Sequence, residues 1–310
     1  MNQRSVTYKM DHVTFELQEQ YDFSWLQSLG TVFCVFDQQD SGNISFGVEK
    51  HGVKRFVKYA GCRPMDFSGN PKDAIARLSA AMPLYTTLEH PNLIKLVDHF
   101  ELDEGYAAIF EWFDGKCLHS HWLFAGESKY SHPESPFFKF KQLSIEKRLK
   151  SLDAIFEFHI EVESKGYVAV DFYDGSILYD FSMDVTKICD IDFYRLAPAT
   201  NDTGANYWGS KRSKAPEELY LVHRLMQERM CLRWELLHSD CSVAKGIVRS
   251  RNGKELNLSM KSLYRLLAWS ESKGILPFML LKRLGILLYV SSYKFNQTRR
   301  QPMLNDRLPF

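Results

Sequence analysis

"VDFYDGSILYD", residues 170–180, gathers three acids and three aromatics around a Gly-Ser pair. An Asp-Gly turn between two strands is the plainest reading of such a stretch. Its surroundings favour another. Directly before it, "SIEKRLKSLDAIFEFHIEVESKG" (144–166) places Leu149, Leu152, Ile155, Phe156 and Ile160 on one helical face, with Ser144 as N-cap. Directly after it comes a β-rich run, "VTKICDIDFYRL" (185–196), and then a loop ending in "KAPEEL" (214–219).

Further upstream the punctuation is that of an antiparallel meander. "TVFCVF" (31–36), "ISFGVE" (44–49) and "KRFVKYA" (54–60) read as strands, joined by the turn formers "DQQDSGN" and "KHGV". "NPKDAIARLSAAMPLYTTLE" (70–89) has helical spacing, and Pro83 is expected to kink or interrupt it. "LIKLVDHFEL" (93–102) and "YAAIFEWF" (106–113) are two more strands. Residues 1–28 read as a short leading segment. Residues 124–142, polar and proline-bearing, read as an exposed insertion.

The composition is that of a globular domain, with 45% apolar and 25% charged residues among 310. A net charge of +1 offers no basic footprint for nucleic acid. The N-terminus MNQRSVTYKMDH is polar, so neither a signal peptide nor a membrane span is expected. Six cysteines without a C-x-x-C pair suit a reducing cytoplasm and supply no metal or disulfide framework. The histidines are scattered without metal-ligand spacing.

Phosphoryl transfer needs few protein parts: a cation on the nucleotide phosphates, carboxylates for Mg²⁺, and a base or orienter for the attacking hydroxyl. A lysine in a strand, or one aspartate in a turn, is commonplace when taken alone. Here "FVKYA", "LEHPNLIKLVDHF", "FEWFDGKCL", "DFYDGSIL", "DFY" (192–194) and "APE" (215–217) follow one another at spacings that a kinase would use. Over roughly residues 25 to 221 the chain resembles the bacterial serine/threonine protein kinase-like family, related in turn to aminoglycoside phosphotransferases.

That resemblance implies an α+β, protein kinase-like two-lobed fold. The antiparallel β lobe would span residues 29–113 and the first half of a mainly helical lobe residues 114–221. It implies ATP and Mg²⁺ as cofactors and a protein or small-molecule hydroxyl as acceptor. Lys58 would contact the α/β-phosphates under a turn containing Gly42. Phe110 would guard the back of the adenine site, and the backbone from Glu111 to Phe113 would bind the adenine edge. Asp171 takes the position of the catalytic base, Ser176 that of the metal-binding asparagine, and Asp192 that of the principal Mg²⁺ ligand, with Asp174 nearby to assist. Gly175 echoes the Pro-Gly-Asn of small-molecule phosphotransferases. A nucleotide-binding pseudokinase is the non-catalytic alternative.

The departures are specific. Val170 stands where ordinary kinases carry an arginine before the catalytic aspartate. The phosphate turn holds one glycine, Gly42, beside Asp37 and Asp40. The helical position expected to supply a glutamate to Lys58 falls near Ala81, and only Asp73 and Glu89 flank that helix, which leaves Lys58 without an assigned partner.

After Leu221 the resemblance stops. A very apolar buried helix is needed there, and "VHRLMQERMCLRWELLHSDCSV" (222–243) is crowded with charge. A divergent C-terminal region is the plain reading, and loss of one base after the Leu221 codon is the sharper one. In the restored frame residues 222–243 are permitted to read "GASIDARTNVFTMGATAFGLFG". Three letters of it are forced by single-codon residues: Met226 before Gln227 gives Ala, Met230 before Cys231 gives Val, and Trp234 before Glu235 gives Gly. Residues 222–310 are therefore expected to be an out-of-frame tail, and a chain carrying it is expected to be unstable and inactive, since a missing half-lobe exceeds the roughly 5–15 kcal/mol that keeps a domain folded.

Overall fold

Alternating side chains build the central sheet. The computed structural model describes residues 5–200, together with strand segments at 224–225, 247–249 and 255–257. An N-terminal hairpin, β1 (Val6–Met10) and β2 (Val13–Leu17), turns on Asp11, whose φ of 49° is left-handed. A single helical turn, α1 (Leu26–Leu29), leads into β3 (Thr31–Phe36), β4 (Asn43–Lys50) and β5 (Val53–Ala60). Helix α2 (Pro71–Thr87) precedes β6 (Leu96–Leu102) and β7 (Gly105–Glu111), and the five strands form one antiparallel sheet in the order β3-β4-β5-β7-β6. The expected run of three strands, a helix and two strands is therefore present.

The sheet has two unlike faces. Ile44, Phe46, Val48, Val57, Tyr59, Ala107 and Ile109 join Phe15, Leu17, Phe23 and Leu26 of the N-terminal segment in one apolar core. Within the expected leading segment, the described residues from Tyr8 to Leu26 thus pack as a layer on the sheet. Because strand side chains alternate, the opposite face receives Phe56, Lys58 and Phe110, and across the ladder Lys58 faces Ser45 on one side and Ala108 on the other. These small neighbours leave Lys58 room to extend. Helix α2 packs against β5, β6 and β7 and buries Leu78, Ala81, Met82 and Tyr85. Its N-cap is Asn70, which accepts from Lys72 N–H at 3.1 Å. Pro83 lies inside α2, and the helix is unbroken through Thr87, so of the expected kink or interruption the interruption does not occur. The packing of that buried stripe outweighs the one backbone hydrogen bond a proline forfeits.

A short strand, β8 (Lys116–Cys117), follows, then helices α3 (Ser128–Ser131) and α4 (Pro136–Gln142). Residues 124–142 are thus not the wholly exposed insertion expected: Lys129, Ser135, Pro136 and Phe137 are buried. Helix α5 (Ile145–Ser164) begins as expected at Ser144, whose hydroxyl accepts from Lys147 N–H at 3.4 Å. Its fully buried stripe is Ser151, Ile155, Phe158, His159 and Val162, so the buried face is rotated from the expected one. Of the five residues anticipated, Ile155 is buried and Leu149, Leu152, Phe156 and Ile160 are half-buried.

Strand β9 (Tyr167–Val168) leads to a 3-10 turn at Asp174–Ser176, and β10 (Ile177–Asp180) pairs with β8 and with β11 (Val185–Ile188). Strand β12 (Arg195–Leu196) returns to β9, and β13 (Ala199–Thr200) pairs with β14 (Arg224–Leu225). Beyond these, β15 (Ile247–Arg249) and β16 (Glu255–Asn257) form a hairpin. Every sheet described is antiparallel, in a mixed architecture consistent with the α+β class. The chain divides into two compact units, Met1–Gln227 and Glu228–Phe310. The "APE" at 215–217 and, apart from the strand segments above, the tail 222–310 read as out of frame lie outside the described residues. No helix among the described residues is long and apolar enough to cross a membrane.

Candidate functional site

The site begins with Lys58, which reaches across the chain to two carboxylates. Its Nζ donates to Asp192 Oδ2 at 2.6 Å and to Asp190 Oδ1 at 2.8 Å. Burial alone would push the lysine pKa down; the carboxylates of Asp190 and Asp192 outweigh that and hold it above the ordinary lysine value. Lys58 is therefore charged at neutral pH, although its side chain is only 14% exposed.

Two features bring the acids to Lys58. The register Ile177↔Ile188 sets Ser176 beside Cys189, whose N–H donates to Ser176 O at 2.9 Å. Ile188 is fixed from both sides, donating to Asn92 O (2.6 Å) and accepting from Ile94 N–H (2.9 Å). Those bonds dock the end of β11 against the segment between α2 and β6. Asp190 follows with φ 57°, and Asp171 has φ 60°. Left-handed backbone is uncommon outside glycine and tolerated best by Asp and Asn. Among the described residues, Asp171 and Asp190 share positive φ with three other non-glycine positions, Asp11, His51 and Asp184.

Asp171 is half-buried between Val170 and Phe172, which are fully buried. Tyr173, two residues on, packs against the His119 ring with centroids 5.8 Å apart. Burial, then the carboxylates of Asp190 and Asp171, hold the Tyr173 phenol far above its ordinary value. The ring also covers Gly175, where a Cβ would approach Tyr173 Cζ to 2.4 Å. A side chain at position 175 would need the Tyr173 ring to shift.

Ser176 is completely buried, and its Oγ has no hydrogen-bond partner among the described residues. An orphaned buried hydroxyl is costly unless something completes it. Ser176 Oγ and the half-exposed Asp190 carboxylate are both hard-oxygen groups, the donor type that Mg²⁺ takes. Among the described residues no group of three or more His, Cys, Asp or Glu gathers as for a protein-only metal cage. Asp174 is engaged elsewhere. Lys129 Nζ donates to its Oδ2, and the same ammonium donates to His119 Nδ1 at 2.7 Å.

The remaining expected positions separate into two groups. Phe110 is buried beside Tyr85, ring centroids 4.8 Å apart, on the face that carries Lys58. Gly42 is buried with φ 81°, and a Cβ there would meet Phe67 Cζ at 2.6 Å and Ala74 Cβ at 2.9 Å. Arg77 of α2 donates to the neighbouring Ser41 carbonyl at 2.5 Å and lies 5.6 Å from the Phe193 ring centroid, linking that turn to the acidic segment. Glu111 and Phe113 stand apart from the lysine. Glu111 is exposed, pairs with Lys95 at 3.9 Å and spends its N–H on Lys95 O. Phe113 N–H makes no hydrogen bond to a described residue.

Two participants were not anticipated. Asp190 sits in "CDIDF", two residues before the acid singled out, and alternation in that β-rich run was the available signal. Tyr85 of α2 donates its hydroxyl to Asp192 Oδ1 at 2.7 Å and accepts from Ile191 N–H at 3.3 Å. It lies one helical turn beyond Ala81, where a glutamate was sought, and nothing local in the sequence marks it. Neither Asp73 nor Glu89 pairs with Lys58 among the described residues. No family model matches this chain, and no curated protein matches it.

Proposed function

We propose that this chain carries the nucleotide site of an ATP-dependent phosphotransferase of the protein kinase-like class, acting on a hydroxyl acceptor. The observation that carries the reading is the closure of Lys58 on Asp190 and Asp192, 132 and 134 residues away, at 2.8 and 2.6 Å. Lys58 would bind the nucleotide phosphates. The unspent Phe113 N–H and buried Phe110 suit an adenine edge and the back of its pocket. Gly42 would shape the turn over the phosphates. Asp190, Asp192 and Ser176 would hold Mg²⁺, which when bound neutralises phosphate charge. Asp171 would orient the acceptor hydroxyl and take its proton as the new O–P bond forms at the γ-phosphorus and the bond to the β–γ bridging oxygen breaks, releasing ADP.

The two-lobed fold, the cytoplasmic setting and the out-of-frame tail belong to the same proposal. The Gly175-Ser176 ending of the loop also suits a small-molecule acceptor of the aminoglycoside type, and fold alone does not choose between acceptors. Sequencing the coding DNA tests the tail: wobble bases after Leu221 that do not spell the apolar helix remove that part.

The site is tested by Mg·ATP binding to the full chain, followed by turnover in this chain and in one with the frame restored. Asp171→Asn in the restored chain should lower turnover by about 10²–10⁴-fold with ATP affinity retained. Absence of turnover in the parent restored chain, with ATP still bound, favours the pseudokinase. Absence of ATP binding in both chains removes the reading.

A further inference from the structure

The two carboxylates on Lys58 are not equivalent. Asp192 is 4% exposed and both its oxygens are engaged, Oδ2 by Lys58 and Oδ1 by the Tyr85 hydroxyl. Asp190 is 40% exposed, engages Lys58 through Oδ1, and makes no hydrogen bond through its second oxygen among the described residues. Tyr85 binds the segment twice, since its oxygen also accepts from the amide of Ile191, between the two acids. Packed on Phe110 and buried, Tyr85 has little freedom to release them.

We infer that Asp192, locked by Tyr85, is the fixed anchor that positions Lys58, and that Asp190 is the carboxylate left available to an incoming cation. This division rests on the nucleotide-site reading of Lys58 and alters it in one respect. Asp192 passes from principal metal ligand to positioning residue, and Asp190 takes the cation-facing role. It also supplies Lys58 with the partner that α2 lacks as an acid: the helix contributes a hydroxyl, and the charge comes from the acidic segment. The physics favours the assignment. A carboxylate with both oxygens bonded and almost no water exchanges partners at high cost, because breaking a buried pair leaves an uncompensated charge. A half-exposed carboxylate is solvated and gives up one lysine contact at small cost.

The test needs no nucleotide. The full chain is acylated at one fixed pH with an amine-reactive acetylating reagent, and Lys58 modification is followed by mass spectrometry against exposed Lys72. Tyr85→Phe and Asp192→Asn should each raise the Lys58 rate by about fivefold or more, the equivalent of one lost hydrogen bond. Asp190→Asn should change it by less than about twofold, as for an exposed pair. Phenylalanine keeps the ring on Phe110, so the Tyr85 variant reports the hydroxyl and not a collapsed core. Lys58 protection unchanged in Tyr85→Phe, or loosened by Asp190→Asn as much as by Asp192→Asn, overturns the assignment. ATP affinity measured separately, in EDTA and in Mg²⁺, distinguishes the two readings. A chain with this labelling pattern that binds no ATP loses the phosphotransferase reading and keeps the anchor. One that binds Mg·ATP but labels otherwise keeps the function and loses the anchor.

Discussion

Lys58 and Asp190 meet at 2.8 Å, yet the backbones that deliver them have little in common. Lys58 stands on an interior strand, paired residue by residue with β4 on one side and β7 on the other. Its direction is set by register, and a one-residue slip would turn it into the apolar core. Asp190 stands just past a four-residue strand, in left-handed backbone, held by the docking of Ile188 and the hydroxyl of Tyr85. One half of the site is over-determined by many weak constraints and the other rests on a few specific bonds. Damage to the first should be spread through the sheet, and damage to the second should be local and large.

The largest effect is expected where the halves join. Lys58→Met leaves Asp190 and Asp192 facing each other without a cation, and should lower unfolding stability by about 3–5 kcal/mol in urea titrations. A loss below about 1 kcal/mol would mean that the pair is solvated rather than buried. Next comes the turn that closes on α2. Gly42→Ala combines a left-handed φ of 81° with a 2.6 Å approach to Phe67, and should cost about 2 kcal/mol. Calorimetry showing no change would place that turn free of Phe67. A smaller effect is expected at the start of α5, the helix that precedes the Asp171 loop. Ser144→Ala removes the cap on Lys147 N–H and should cost about 1 kcal/mol, with the rest of the site undisturbed.

The smallest expected effect is a pH dependence beside the loop. Burial first, and then the Lys129 ammonium, hold His119 below its ordinary pKa, while Asp174 pulls the other way. With the folded value below the unfolded one, the unfolded chain takes up the proton first. The stability due to neutral His119 is therefore present above an unfolded pKa of about 6.5 and is lost as pH falls through the folded value. The urea midpoint should fall between about pH 7.5 and about pH 5.5, and His119→Gln should remove part of that fall. An equal fall in the variant would assign the whole effect to other groups, His90 among them, whose pKa burial also lowers.

Legibility follows the same division. β3 to β7 and both longer helices were readable because alternation, Asx and Ser caps, and turn formers act within a few residues. The N-terminal hairpin was readable too and was missed: Val6, Tyr8, Met10 and Val13, Phe15, Leu17 alternate about Asp11-His12, which is a hairpin signal. Helix α5 shows the limit of periodicity. Its apolar residues are numerous enough to suggest more than one face, and its packing against β9 and β11 selects the stripe through Ile155, Phe158 and Val162.

By itself the sequence determined the succession of strands and helix along the chain, the alternation that gives β5 two unlike faces, and the presence of an acidic loop, since each is a property of neighbouring residues under local steric and hydrophobic rules. Tertiary structure alone decided which acid meets the lysine. The Tyr85–Asp192 bond joins residues 107 apart, and the burial that separates Asp192 from Asp190 is made by the helix and sheet closing over one of them. No pattern along the chain encodes which of two nearby carboxylates loses its water, because solvation is a property of the assembled surface.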